Sequence, residues 1–346
     1  MIKVTGKYIF GLISPVIDDN ALAGIDCPGI HVVTVGNFSA VVVDSDIVDY
    51  KNMYSNFLAA RLLKHQQVIE SLMSMGCTVI PMKLGTVARN EREVIAILDK
   101  SSLLLRDIMK KIDSKIEIDI VAQWSDFAAI IKRVSAEKEI IEFKANLMTC
   151  SQITAEDQQK AGLLVMQALN RKKATCSRKI LDALIPASYE FKVHDAICEE
   201  IVFNAAFLIN KSSHELFDAA VEKINTDFNG ELNFKYVGPL PCYSFYTLEV
   251  DTLSFIALDK ARAKLGLNSS ATKDEIKSAY KLKAAAVHPD KNPGLAGVEK
   301  EFDETNKAYK ILLDYCAASD QASEQAQYSF LETDVNNNAL LVKLRC

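Results

Sequence analysis

The chain has 346 residues, enough for two or three domains with separate cores. With 49% hydrophobic and 25% charged residues it is not a disordered chain, and a formal net charge of −5 gives nucleic acid no general electrostatic hold. The eight cysteines (Cys27, Cys77, Cys150, Cys176, Cys198, Cys242, Cys316 and Cys346) are scattered without a C-x-x-C pair. That spacing fits neither a zinc ribbon nor a small disulfide scaffold, and it predicts free thiols in a reducing compartment.

The opening "MIKVTGKYIFGLISPVIDD" has no basic head, apolar block or small-residue cleavage site, so it reads as a strand and not as a secretory leader. No apolar run reaches the roughly 20 residues that a bilayer-spanning helix needs. "KYIFGLI" and "IHVVTVGNFSAVVVDSD" are β-branched runs broken by glycine and proline, hence strands. From Met53 to Met75, Phe57, Leu58, Leu62, Leu63, Val68, Ile69, Leu72 and Met73 recur at helical spacing, with Gly76 placed as the stop. "CTVIPMKLGTV" returns to the strand pattern, with Pro81 marking an edge or a bend. A second amphipathic helix, "NEREVIAILDKSSLLLRDIMKKI", and a strand, "EIDIVAQWS", complete the first region.

Asp126 to Glu142 and Thr154 to Leu184 read as helices, and the basic patch "NRKKATCSRK" reads as a solvated face because no aromatics interleave it. "EEIVFNAAFLIN" is a strand, Ser213 to Phe228 a helix that Gly230 ends, and "LNFKYVGPLPCYSFYTLEV" a strand interrupted by a Gly-Pro-Leu-Pro turn. The "GPLPCYSF" turn is expected to bury Tyr243 and Phe245. His194 and Asp195 read as surface residues, and His31 and His65 as structural ones. The order of elements gives an α+β fold whose second module is ferredoxin-like in size.

The C-terminal third has a different pattern. Thr272 and Glu275 form a T-x-x-E capping box, so a helix starts there with Asp274 in its first turn. Ile276, Ala279, Tyr280 and Val287 share one face, while Lys273, Lys277 and Lys281 follow at four-residue spacing on another. Pro289 stops the helix, and a second one from about Val298 to Tyr315 offers Phe302, Tyr309, Leu312 and Leu313 in return. The result is an antiparallel hairpin with "VHPDKNP" at its tip. His288 and Asp290 there have no neighbouring nucleophile, no glycine-rich cradle and no further ligands at metal-binding spacing, which argues against a catalytic dyad and against a metal site. A structural turn in which Asp290 bonds local backbone is the remaining alternative, and it is compatible with docking. "SDQASEQAQ" and "NNN" read as a loose tail, with "ALLVKL" able to add a strand.

Two family resemblances follow from these motifs. "YIFGLI", "HQQVIESLMSMGCTVIPMKLGTV" and "FNAAFLINKSSHELFDAAVEKINTDFNGELNFKYVGPLPCYSF" resemble the gas vesicle protein GvpL/GvpF family over about residues 4 to 250. That family shows a histidine-led helix before a "VLPxxFGT" strand and a closing "GPWPPYSF". Here Leu84 stands for the phenylalanine, and Leu240 and Cys242 for the tryptophan and a proline. The segment from about Phe255 to Tyr315 resembles a J-domain of the DnaJ type.

The resemblances imply two α+β domains, residues 1–124 and a ferredoxin-like 125–252, then an all-α J-domain hairpin at 253–318 and a tail at 319–346. They imply a gas vesicle assembly or minor structural protein, located at the gas vesicle in the cytoplasm, that meets the shell protein GvpA and other gas vesicle proteins. The J-domain would recruit a DnaK-type chaperone and stimulate its ATPase, with His288, Pro289 and Asp290 as the specific contacts and Lys277, Lys281 and Lys283 supplying positive charge. Neither resemblance brings a catalytic residue, a metal or a cofactor, and the chain is expected not to be an enzyme. Two alternatives stay open: a purely structural component whose J-like hairpin packs internally, and an enzyme binding a small ligand in a deep pocket.

Overall fold

The computed structural model describes residues 5–46, 55–148, 154–292, 297–319, 326–338 and 340–344. The readings attached to Met53, Cys150, Cys346 and most of "SDQASEQAQ" lie outside them. The chain divides into two compact units, one formed by Met1–Met109 together with Thr247–Cys346 and the other by Lys110–Tyr246.

The first unit begins with strands β1 (Thr5–Ser14), β2 (His31–Val35) and β3 (Phe38–Asp46), helix α1 (Ser55–Ser74), strands β4 (Thr78–Pro81) and β5 (Val87–Ala88), and helices α2 (Glu91–Lys100) and α3 (Ser102–Ile112). Its antiparallel sheet runs β2-β3-β1-β4, with β5 also on β1. Because β1 is buried on both faces from Tyr8 to Ile13, its sequence is an unbroken apolar run and not an alternation. Pro81 ends β4 on the sheet's edge, where its missing N–H costs no ladder bond. Helix α1 buries only His65, Val68, Ile69 and Leu72, so the apolar stripe expected from Phe57 onward starts a turn or two late, and Phe57, Leu62 and Leu63 stay exposed. The single helix expected after β5 is two: buried Ser101 turns its hydroxyl back to the Ile97 carbonyl and separates α2 from α3.

The second unit contains β6 (Lys115–Trp124), α4 (Phe127–Val134), α5 (Lys138–Met148), α6 (Ala155–Leu184), β7 (Glu190–Val193), β8 (Ile201–Asn210), α7 (His214–Asp227), β9 (Leu232–Leu240) and the one-turn helix α8 (Tyr243–Tyr246). The sheet order β7-β8-β6-β9, antiparallel throughout, with helices between β6 and β7 and between β8 and β9, is the ferredoxin-like arrangement. Strand β6 is thus a central strand of this sheet and not an end to the preceding one. Ile116, Ile118, Ile120, Ala122 and Trp124 alternate along one face of β6, and on β8 Phe207 packs at a tilt against Phe217 of α7. Gly238 lets β9 lie close against β6, since a Cβ there would lie 3.1 Å from the Glu117 carbonyl oxygen and 2.5 Å from Ile118 Cδ1.

The first unit then resumes with β10 (Leu248–Thr252), α9 (Phe255–Leu265), β11 (Ser270–Thr272), α10 (Lys273–Ala286), α11 (Val298–Ala318), β12 (Gln327–Ser329), α12 (Glu332–Asn338) and β13 (Leu340–Leu344). Helices α9, α10 and α11 enclose a core of Leu258, Ala261, Leu265, Ile276, Leu312 and Tyr315. The described part of the tail is not loose. Strand β12 pairs with β11, and Tyr328, Phe330 and Val335 enter the same core. Strand β13 pairs with β10 from Leu248↔Leu344 to Thr252↔Leu340. The tail therefore adds two short strand pairs to an otherwise helical module. On its other side β10 is joined to the N-terminal sheet: Lys83 N–H donates to the Leu248 carbonyl at 2.8 Å, and the Lys83 and Glu249 side chains form an ion pair.

Tyr328 is 1% exposed and sits beside Tyr315, whose hydroxyl donates to the Ser329 carbonyl at 2.6 Å. Tyr328→Ala is expected to destabilise the first unit by on the order of 3 kcal/mol. The check is denaturant unfolding followed by circular dichroism, with the helical signal of α9 to α11 lost at lower denaturant than in the wild type.

Candidate functional site

The tip of the α10–α11 hairpin is built by its own backbone chemistry. Thr272 Oγ1 accepts from Glu275 N–H at 3.2 Å, while the Glu275 carboxylate accepts from Thr272 N–H at 2.7 Å, so the expected capping box starts α10. At the far end the chain leaves the helix at Val287, and Pro289–Lys291 form a short 3-10 turn. Asn292 locks that turn, its side-chain amide donating to the Ala286 carbonyl at 2.9 Å and the His288 carbonyl at 3.0 Å.

Within the turn it is His288, and not Asp290 as in the structural-turn alternative, that bonds local backbone. His288 Nδ1 accepts the Asp290 backbone N–H at 3.2 Å, whereas the Asp290 carboxylate projects into solvent with 89% of its side chain exposed. A ring nitrogen that accepts is unprotonated, which places the proton of the neutral imidazole on Nε2. The ring also packs edge-on against Phe302 of α11, with centroids 5.1 Å apart, and its side chain is 40% exposed. The tip thus offers a carboxylate acceptor and an oriented imidazole, with the Asp290 N–H and the Ala286 and His288 carbonyls bonded locally.

The lysines separate into two kinds. Lys277 and Lys281 are exposed along α10, with Asp274 3.7 Å from Lys277. Lys283 is half-buried and turned toward Glu301 of α11 at 4.0 Å; Lys264 of α9 lies 3.7 Å from the same carboxylate and 3.0 Å from Glu304. Lys283 therefore braces helix against helix as well as contributing charge. Tyr280 stacks on Tyr309 at 4.1 Å and donates to Asn306 Oδ1, fixing the helix pair about two turns behind the tip.

A second polar cluster lies under the "GPLPCYSF" turn. Glu117, buried on central strand β6, accepts from both Ser244 N–H and Ser244 Oγ at 2.8 Å. Lys192 of β7 donates to the Ser244 carbonyl at 3.2 Å, and His194 Nε2 lies 3.3 Å from Ser244 Oγ. His194 is half-buried in this cluster and not a plain surface residue. The turn buries Cys242 and Tyr246 instead of Tyr243 and Phe245, which are half-buried. Nothing in the sequence pattern marks Glu117 as the anchor, because an acidic residue alternating along a strand ordinarily signals a solvated face.

The chain belongs to the gas vesicle synthesis protein GvpL/GvpF family, whose family model matches residues 6–247, and it carries a DnaJ domain over residues 263–317. It is similar to gas vesicle protein F of Nostoc sp. PCC 7120, 24% identical over 246 residues that cover 70% of this chain and 98% of the relative. Gas vesicle protein F of Dolichospermum flosaquae is 25% identical over 247 residues, again 70% of this chain and 98% of the relative. The J-domain segment is 54% identical over 48 residues to the chaperone protein DnaJ of Prosthecochloris aestuarii, covering 14% of this chain and 12% of that one. The crystal structure of GvpF from Anabaena sp. PCC7120 shares the fold with a TM-score of 0.62 at 24% identity, over 70% of this chain and 98% of that chain. That of GvpF from Microcystis aeruginosa does so with a TM-score of 0.59 at 22% identity, over 70% and 99%.

Burial pushes the Glu117 carboxyl up to about 8, against the lowering effect of the Ser244 hydrogen bonds, and burial likewise raises Asp119. An acid whose folded pKa lies above its unfolded one contributes stability that is full below the unfolded value of 4.5 and is lost as pH rises toward about 8. The melting temperature of the second unit, followed by fluorescence of buried Trp124, is expected to fall from about pH 5 to about pH 8. Glu117→Gln is expected to flatten that slope.

Proposed function

We propose that the chain is a gas vesicle assembly protein that binds the shell protein GvpA and other gas vesicle proteins through its GvpL/GvpF part. Its J-domain brings a DnaK-type chaperone to those clients and stimulates the chaperone's ATPase. On this reading it is not itself an enzyme, and it works at the gas vesicle in the cytoplasm. The observation that carries the reading is the exposed tip. Internal packing of the hairpin requires His288 and the lysine face to be covered, yet Asp290, Lys277 and Lys281 are exposed and His288 keeps 40% of its side chain in solvent.

The chemistry fits the partnership. A shell protein presents extended apolar surface before it is incorporated, and such patches aggregate unless they are held. Exposed lysines speed encounter with an acidic chaperone surface, and the oriented His288 and the Asp290 carboxylate supply contacts that no floppy basic tail provides. No step of this scheme needs a bound metal or cofactor from this chain.

The test is steady-state ATP hydrolysis by the cognate chaperone. The wild-type chain is expected to raise the rate, and His288→Gln to return it to the unstimulated value while recovery of GvpA in a pull-down stays unchanged. Failure of the wild type to stimulate, or stimulation unchanged in the variant, contradicts the proposal. Lys281→Glu is expected to slow association with the chaperone, with the difference from wild type shrinking as salt screens the charge; surface plasmon resonance at several ionic strengths measures it.

A further inference from the structure

The two edges of the ferredoxin-like sheet are finished differently. Strand β9 carries Gly238 and Pro239 and a register break opposite Glu117 and Asp119, features that spoil an edge for further pairing. Strand β7 has no proline, pairs with β8 alone among the described residues, and ends the sheet on the other side. Its residues Phe191 and Val193, and Tyr189 just before it, are 40%, 54% and 58% exposed, large apolar side chains along an open edge.

The ladder to β8 defines which backbone groups of β7 are spent. Glu190 lies opposite Leu208 and Lys192 opposite Ala206, and His194 N–H donates to the Asn204 carbonyl. By the alternation of an antiparallel ladder, the N–H and C=O groups of Phe191 and Val193 face away from β8, toward the open edge. A strand laid antiparallel on that edge and centred on Phe191 completes the groups of Phe191, while the Tyr189 N–H stays on the Leu208 carbonyl at 2.8 Å.

We infer that β7 is a self-pairing edge through which two copies of this chain associate about a two-fold axis at Phe191. The sequence Tyr189-Glu190-Phe191-Lys192-Val193 is complementary to itself in that arrangement. Phe191 meets Phe191 of the second copy and exchanges two backbone hydrogen bonds with it. Tyr189 faces Val193 in both directions. Glu190 of each copy faces Lys192 of the other, at positions without hydrogen bonds, where facing side chains approach most closely; in forming the pair Lys192 exchanges its Ser244 carbonyl, and Glu190 its Tyr246 hydroxyl, for the opposite charge. A two-fold axis makes each ion pair occur twice, so this short edge supplies two ion pairs and an apolar stripe. A parallel arrangement, or one shifted by two residues, loses the charge match.

Sedimentation velocity of the full chain over a concentration series tests this. The wild type is expected to shift from monomer to dimer as concentration rises. Glu190→Lys and Lys192→Glu each place like charges opposite one another, and each is expected to weaken self-association about tenfold. An equimolar mixture of the two variants restores both opposite-charge pairs and is expected to dimerise like the wild type. Trp124 fluorescence confirms that each variant is folded, and Glu190→Lys alone carries the charge test because Glu190 is exposed. A wild type that stays monomeric, variants that associate as strongly as the wild type, or a mixture that associates no better than its components would overturn the inference.

Discussion

The J-domain helices depend on side chains supplied by the tail. Two helices joined by a tight loop bury one stripe each, which leaves a hairpin short of core. Here α9 supplies a third wall, and Tyr328, Phe330 and Val335 close the remaining side. The Tyr315 hydroxyl meets the Ser329 carbonyl, so the largest ring of α11 is both buried and satisfied. The same tail runs on as β13 and pairs with β10, which is itself joined to the N-terminal sheet through Lys83. One segment thus finishes the core of the J-domain and fixes its place in the first unit.

That constraint bears on how the tip presents itself. Strand β11 leads directly into the Thr272 cap, so pairing of the tail with β11 holds the start of α10. The stacked tyrosines 280 and 309 and the Lys264–Glu301–Lys283 group hold its far end. With the Asp290 N–H held by His288 and the Ala286 and His288 carbonyls held by Asn292, the Asp290 carboxylate and the far side of the imidazole are among the polar groups the tip presents. The second unit follows the same economy, since the buried Glu117 serves to pin a turn.

Much of this was legible in the residues, for identifiable reasons. The capping box, the Pro289 stop and the spacing of Ile276 against Leu312 are local rules, and they placed the hairpin and its tip. Gly76, Gly230 and the β-branched runs did the same for the α+β part. What escaped was set by tertiary context. Strand β7 is four residues long and shows no clean burial alternation, so its role as a sheet edge follows only from its pairing with β8. Strand β12 is three residues long and its partner lies 57 residues away in sequence, as the Gln327–Ser270 contact shows. The tail's polar composition hid it, because Tyr328, Phe330 and Val335 are too few to form a periodic pattern. Phe57, Leu62 and Leu63 misled in the other direction, having helical spacing without a core to face. The roles of Ser244 and Glu117 required knowing that a turn folds back over the central strand.

Hydrogen–deuterium exchange on the full chain tests the dependence of the J-domain on its tail most directly. If the tail is part of the fold, amides of Gln327–Ser329 and Leu340–Leu344 exchange as slowly as those of α10 and α11, and all of them open together on mild denaturation. Exchange of both tail segments at unstructured-chain rates, with α9 to α11 still fully protected, would contradict the account.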